Sequence, residues 1–304
     1  MASFHCSVKV GRKGKASPHS DYISRQGKFA PEKNKKNVER EVLEWTSFGN
    51  MPKWAATPRQ FWTEADDRER ANGSTYREFE LALPNELTPE QRRELVEQFV
   101  QEITQGRHAY QYGIHLKDSG ISKQPQPHVH LMYSERIQDG IERAPDQYFK
   151  RANKTNPAKG GCTKAAVVGT FTERAAELQA TRKKWADMQN KALEKYGHEA
   201  RVTHLSLKEQ GLEREAEMHL GPNRVKNLTV EQKAEITERR QAEADLEREQ
   251  VQFQTEKVKE YEEQLEAHIE QRERRAYIPP EPEQREAFKG FKNPEADHTR
   301  TTPD

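Results

Sequence analysis

His115 is followed twelve residues on by Pro127-His128-Val129-His130-Leu131, so three imidazoles fall on two segments that read as neighbouring strands. Side chains alternate along a strand, so His128 and His130 share one face while Val129 and Leu131 take the other. The run Tyr110-Gln-Tyr-Gly-Ile-His115 alternates as well. Gly120, Pro125 and Pro127 between the two runs read as a hairpin loop that brings His115 beside the pair. Three neutral imidazoles around one divalent ion leave coordination positions open to water or substrate, as a catalytic site requires. The competing reading is three histidines satisfied by solvent or by the core.

Two further segments could do chemistry beside such a clamp. Thr75-Tyr-Arg-Glu78-Phe-Glu80-Leu-Ala-Leu83 reads as a strand with Glu78 and Glu80 on one face and Phe79, Leu81 and Leu83 on the other. Carboxylates so placed can orient a ligand imidazole through its second nitrogen, or they are simply the wet face of a half-buried strand. Ser17-Pro18-His19-Ser20-Asp21-Tyr22-Ile23-Ser24-Arg25-Gln26-Gly27-Lys28 reads as a short helix, with Ser17 as cap, Pro18 at the first position and Gly27 at the end. Tyr22 sits among polar and charged residues. A tyrosine can serve as a covalent nucleophile where a neighbouring group polarises its target; otherwise it is a surface or packing residue.

The elements that position these residues follow from patterning: strand 3–10, helix 17–26, a basic loop, helix 58–70, strand 75–83, helix 89–105 and hairpin 109–134. Thr57-Pro58 starts one helix, and Thr88-Pro89-Glu90-Gln91 is a capping box for the next. Antiparallel strands with helices segregated to one side give an α+β sandwich. Helix 171–196 carries Phe171, Ala175, Leu178, Trp185, Met188, Ala192 and Tyr196 on one stripe, which is expected to cover the sheet, and Gly197 ends it. After Gly221-Pro222 comes a long charged helix from Thr229 to about Arg275. Val251, Val258 and Leu265 recur at seven, but Gln254 and His268 interrupt the second seam, which favours a lone helix over a coiled coil. The expected organisation is a domain over 1–221, a charged helical extension over 222–275 and a disordered tail over 276–304.

Composition sharpens this division. Apolar residues make up 32% of the chain and charged ones 33%, below the apolar share of an ordinary globular domain, so part of the chain lacks a core. The net charge of +1 conceals asymmetry: residues 1–40 hold ten Lys and Arg against three Asp and Glu, and residues 230–275 hold nine against fourteen. The acid-free stretch Lys150-Arg151-Ala-Asn-Lys154-Thr-Asn-Pro-Ala-Lys159-Gly-Gly-Cys-Thr-Lys164 reads as a mobile loop able to follow phosphates. No nucleotide-binding glycine loop is visible. Two cysteines, Cys6 and Cys162, make no disulfide framework, and the absence of a signal or a long apolar run points to a cytoplasmic chain with free thiols and no membrane insertion. His5, on the first strand, is a weaker additional candidate near the site.

Taken together, the run Asp21-Tyr22-Ile23-Ser-Arg25-Gln-Gly27-Lys28-Phe-Ala30, then Glu78-Phe-Glu80-Leu-Ala-Leu-Pro84, then His115 and Pro127-His128-Val-His130-Leu-Met132 resembles the MobA/MobL family of plasmid relaxases, which are HUH endonucleases. The likeness continues through Ser134-Glu-Arg136, Asp139-Gly-Ile-Glu-Arg143, Phe149-Lys-Arg151 and Arg201-Val-Thr-His204, and covers roughly residues 1 to 221. The resemblance implies a palm-like sheet, Tyr22 as nucleophile, a divalent metal (Mg²⁺ or Mn²⁺) on His115, His128 and His130, and Glu78 and Glu80 lining the site. Ligand chemistry alone, with three imidazoles, leans toward Mn²⁺, Zn²⁺ or Ni²⁺. It also implies site- and strand-specific nicking and rejoining at a plasmid transfer origin through a covalent 5′-phosphotyrosine. Arg25, Lys28, Lys150, Arg151, Lys154, Lys159 and Lys164 are expected to contact DNA. The expected partners are single-stranded plasmid DNA, accessory mobilisation proteins and the type IV secretion coupling machinery, in the bacterial cytoplasm and then in the recipient cell. Two other readings compete: a rolling-circle replication initiator, which shares clamp and tyrosine, and a cupin-like metalloenzyme, because Glu135 follows His128-Val-His130 at an approximately suitable distance.

Overall fold

Among the described residues, five strands form one antiparallel sheet in the order β1-β3-β5-β4-β2 in the computed structural model. It describes residues 3–31, 41–165, 170–212, 217 and 220–276. The strands are β1 (Cys6–Arg12), β2 (Glu41–Gly49), β3 (Ser74–Ala82), β4 (His108–Asp118) and β5 (Pro125–Ile137). The helices are α1 (Ala16–Ile23), α2 (Pro58–Arg68), α3 (Pro89–Thr104), α4 (Pro145–Tyr148), α5 (Phe171–Lys195), α6 (Gly221–Asn227) and α7 (Val230–Ala276). The chain divides into two compact units, residues 1–233 and 234–304, so the sheet unit runs past the boundary expected at 221 and includes α6.

Period-two patterning gives the sheet two different faces. Phe79, Leu81, Tyr112, Ile114, Val129 and Leu131 point one way and pack against Leu95, Val96, Phe99 and Val100 of α3 and Trp185 and Leu193 of α5. Phe99 and Trp185 meet edge to face at 4.9 Å. The capping box of Thr88 and Gln91 fixes the start of α3 as read from the sequence. On the opposite face Met132 and Tyr76 pack with Ala16 and Ile23 of α1, Phe61, Trp62 and Ala65 of α2, and Tyr148 and Phe149. The α+β class and the antiparallel sheet stand, but helices cover both faces and not one. The smaller layer of α1 and α2 was invisible as a layer because its apolar residues are few and come from separate short helices. A single open sheet is also unlike the closed barrel of a cupin, and Glu135 faces away from the histidines to pair with Arg77 at 2.7 Å.

Four local expectations change. Residues 41–49, read as part of a basic loop, form the edge strand β2. A register shift between Leu43 and Trp45 breaks the alternation that would have revealed it. Ser17 is not the cap of α1. The carboxylate of Asp66, on α2, instead accepts from the N–H groups of Gly14, Ala16 and Ser17 at 2.7, 3.0 and 2.8 Å, satisfying the exposed donors from across the fold. Gly27 does not end α1 either, since the helix stops at Ile23 and Arg25 takes the left-handed conformation at φ 52°. Only the second half of α5 covers the sheet: Trp185, Met188, Ala192 and Tyr196 pack, whereas Phe171 is 81% exposed.

The stretch 150–164 is folded, not loose. Arg136 donates to Glu69 through Nε and Nη2 (2.9 Å each) and to the carbonyls of Tyr148, Phe149, Lys150 and Cys162. Arg143 pairs with Asp139 and donates to the carbonyls of Gly160 and Pro157, each at 2.9 Å. Both pinning arginines lie upstream of the stretch, so its own Gly, Asn and Pro content gave the opposite impression. In the second unit α7 is long and charged, with Val258, Tyr261 and Leu265 exposed. The tail expected to be disordered falls, from 277 onward, outside the described residues. None of the described helices is long and apolar enough to cross a membrane.

A candidate metal centre and nucleophile

The central strand β5 carries the HxH pair, and its neighbours supply the rest of the site. Register places His128 opposite His115 on β4, and His130 opposite Gly113 on β4 and Glu80 on β3. All three rings therefore lie on the face covered by α1, with centroids 5.2 to 5.7 Å apart. Gly113 makes room for α1: a Cβ there would sit 2.4 Å from the Ile23 carbonyl oxygen. That close approach sets the tautomer of His115, because the Ile23 carbonyl accepts from Nε2 at 2.9 Å.

Each imidazole has one nitrogen tied to a backbone carbonyl or to Glu78 and the other turned inward, where Glu41 Oε1 lies 2.9 Å from His115 Nδ1 and 3.4 Å from His128 Nε2. His115 uses Nε2 toward Ile23 and presents Nδ1. His128 places Nδ1 3.0 Å from the Gln126 carbonyl and presents Nε2. His130 places Nδ1 2.7 Å from Glu78 Oε1, and its Nε2 is buried with no hydrogen-bond partner among the described residues. The outer partners orient the rings and fix the lone pairs, as at histidine metal sites in general. The three inward ligand atoms lie within 4.8 Å of one another. A buried imidazole nitrogen without a partner is costly unless something binds it, so these residues fit a divalent ion. Burial also lowers the pKa of His130 despite the adjacent Glu78, keeping it in the neutral form a metal requires.

The carboxylates divide in role. Burial by itself would raise Glu78, but the hydrogen bonds from His130 and His19 outweigh it and bring the carboxyl down to about 2. Glu80 shares the face but pairs with Lys9, and its side chain is 30% exposed. Glu41, on β2, is the residue that sequence reading missed. Its Oε1 lies 2.9 Å from His115 Nδ1, 3.4 Å from His128 Nε2 and 3.1 Å from the Tyr22 hydroxyl, which donates to it. Its other oxygen is 2.6 Å from Arg25 Nη2. Burial would raise the Glu41 carboxyl, yet His115, His128 and Arg25 hold it well below the usual range. No sequence signal marked it, since its strand was not recognised. His19 was also missed, although it stands three residues before Tyr22 and so shares its helix face. Its ring stacks between Tyr22 at 5.9 Å and Tyr76 at 5.3 Å, and Nε2 lies 2.8 Å from Glu78 Oε1.

Tyr22 is held over the clamp, its ring centroid 5.4 Å from those of both His115 and His130. Phe29 closes one side at 5.5 Å and the Arg25 guanidinium lies 4.8 Å over the ring. Burial, and then the charge of Glu41, push the phenol well above its ordinary value, so it is protonated at rest. Of the basic residues expected on DNA, Arg25 is within the site and Lys28 is exposed beside Phe29. Lys150, Arg151, Lys154 and Lys164 gather around one cavity elsewhere, and Lys159 is exposed in a short 3₁₀ turn that does not line it. Burial lowers the pKa of His5, and the nearby Glu80 carboxylate opposes that shift.

The chain is 54% identical over 217 residues to the 43 kDa relaxation protein of Salmonella typhimurium, covering 71% of this chain and 57% of that protein. It is 42% identical over 226 residues to mobilization protein A of Escherichia coli, covering 73% of this chain and 30% of that protein. The chain thus spans less than two thirds of the length of these relatives. A solved structure described under "Molecular Basis of Vancomycin Resistance Transfer in Staphylococcus aureus" superposes with a TM-score of 0.45 at 21% identity, over 67% of this chain and all of that one. Residues 20–233 match the MobA/MobL family pattern, almost coincident with the end of the sheet unit at 233, and the chain belongs to that family.

Proposed function

We infer that this chain nicks and rejoins one strand of plasmid DNA at a transfer origin, as a relaxase that starts mobilisation in the bacterial cytoplasm. The observation that carries this reading is the placement of the Tyr22 ring against His115 and His130 of a cluster of three histidines whose ligand atoms lie within 4.8 Å of one another, in a chain of the MobA/MobL family. His115, His128 and His130 would hold a divalent ion, with Mg²⁺ or Mn²⁺ expected. When bound it supplies positive charge beside the phosphoryl oxygens as charge builds in the transition state. In the reaction the Tyr22 oxygen attacks phosphorus, the bond from phosphorus to the 3′ oxygen breaks, and the 5′-phosphotyrosine forms. The phenolic hydroxyl, aimed by its hydrogen bond to Glu41 Oε1, gives up its proton as the bond to phosphorus forms, and the departing 3′ oxygen takes up a proton, so that none is gained or lost overall. Arg25 fixes Glu41 from the other side, and Glu78 fixes His130. The ester to Tyr22 retains the energy of the broken bond, so attack by a 3′-hydroxyl rejoins the strand without a nucleotide.

The test is a labelled single strand spanning the transfer origin, incubated with Mn²⁺ and resolved on a denaturing gel. The wild-type chain should form a protein-linked product, while Tyr22→Phe binds the same strand and forms neither adduct nor cut. Nicking by Tyr22→Phe at the wild-type rate refutes the assignment. Accessory mobilisation proteins and a secretion coupling protein are proposed as partners of the charged second unit.

A further inference from the structure

Met132 of β5 packs in one cluster with Tyr148, Phe149 and Cys162, and Arg136, beyond a register shift of β5 against β4, donates to the carbonyls of all three, so it stands on the same side of the sheet as the histidines. Arg136 lies six positions on from His130, which at roughly 3.3 Å per residue is at most about 20 Å along the strand. Around Arg136 the folded stretch 150–164 and the turn after α2 enclose a cavity of about 210 Å³, lined by Arg70, Arg136, Lys150, Arg151, Lys154 and Lys164. The charges there are unevenly satisfied. Arg136 and Lys164 share Glu69, and Lys150 faces Asp146 at 3.4 Å. Arg70, Arg151 and Lys154 are exposed and make no ion pair among the described residues. The remaining walls, Ala152, Cys162 and Thr163, offer no aromatic surface on which a base could stack. Such a cup suits an anion with several oxygens and reads no sequence.

We propose that this cavity is a second seat for the DNA strand, binding a backbone phosphate of the same strand whose scissile bond lies at Tyr22. This rests on the reading that the strand is bound at the histidine clamp. The separation of at most about 20 Å corresponds to at most about six nucleotides at the roughly 3.4 Å rise of a duplex strand, and to fewer in a stretched single strand. The seat fixes where the strand lies along the sheet; the clamp and Tyr22 act on it.

The experiment measures binding of a fluorescent oligothymidylate of about 24 nucleotides, long enough to span both places, by anisotropy over a series of salt concentrations. The triple variant Arg70→Ala, Arg151→Ala, Lys154→Ala should bind about tenfold more weakly. Its salt dependence should fall by at least about 0.7 in log–log slope, the share of one neutralised single-strand phosphate. The pair Lys183→Ala, Lys191→Ala on α5 should change neither. As a positional readout, Lys154→Cys carrying a photo-crosslinker should capture the oligonucleotide and Lys183→Cys should not. Wild-type affinity and slope in the triple variant, or equal losses in the α5 pair, overturn the proposal. So does a label at Lys154→Cys that responds to inorganic phosphate but captures no strand. Capture at the cavity without a Tyr22 adduct on origin DNA would refute the nicking reading and leave the seat intact; an adduct without any cavity effect would do the reverse.

Discussion

Replacing Glu78 asks whether a carboxylate on the outer side of the His130 ring controls the metal affinity of the proposed site. Its Oε1 lies 2.7 Å from His130 Nδ1 and 2.8 Å from His19 Nε2, and its side chain is 3% exposed. A hydrogen bond to a charged partner contributes roughly 1.5–3 kcal/mol and a neutral one roughly 0.5–1.5 kcal/mol. Glu78→Gln keeps the shape and loses the charge, so the metal-loaded state, in which His130 must keep Nε2 inward, loses about 1 to 1.5 kcal/mol. About 1.4 kcal/mol is a factor of ten in affinity. Mn²⁺ binding should therefore weaken roughly tenfold in Glu78→Gln and approach a hundredfold in Glu78→Ala, the span associated with removing the outer partner of a ligating histidine. Glu80→Gln should change affinity only a few-fold, because its carboxylate forms a partly exposed pair with Lys9. Calorimetric titration of Mn²⁺ near neutral pH, with circular dichroism to show that each variant is folded, measures all three. Unchanged affinity in folded Glu78→Ala, or an equal loss in Glu80→Gln, would refute the division of labour between the two carboxylates.

Other consequences can be checked on the same protein. Arg136→Ala removes the buried cation that donates to Glu69 and to four carbonyls, so it should cost about 3–5 kcal/mol, a loss thermal melting would register as a drop of about 6–20 °C; a cost under about 1 kcal/mol would show that the arginine does not hold this region together. Burial lowers the pKa of His108 from 6.5 despite its hydrogen bond to the Ser134 carbonyl, so the unfolded chain binds more protons here than the folded one. Its contribution to stability is complete above 6.5 and is lost as pH falls through that value toward the folded pKa. Urea denaturation should accordingly show a smaller stability loss between about pH 7 and 5.5 for His108→Gln than for wild type, and identical losses would contradict the sign. A fragment ending at Lys233, the limit of the sheet unit, should fold, bind Mn²⁺ and form the Tyr22 adduct, yet mobilise a plasmid less well in cells; an insoluble or inactive fragment would place part of the catalytic unit beyond 233.

The clamp was legible because strand periodicity is local: His128 and His130 two residues apart share a face in any strand, and a short turn-rich loop brings His115 back alongside. Tyr22, Glu78 and the capping box at Thr88 were legible for similar reasons, each resting on spacing within one element. Glu41 was not, because its role depends on β2 pairing with β4 across a register shift, a contact between distant parts of the chain. The cap of α1 by Asp66, the covering of both sheet faces and the pinning of 150–164 by Arg136 and Arg143 were hidden for the same reason: each is a long-range polar contact that leaves no period in the sequence. Local hydrophobic and conformational preferences therefore determined most of the elements, the histidine face and the helix that carries Tyr22. Only tertiary packing decided which carboxylate holds which imidazole, which nitrogen of each ring is left to bind, and that the basic stretch is a formed cup on the same side as the clamp.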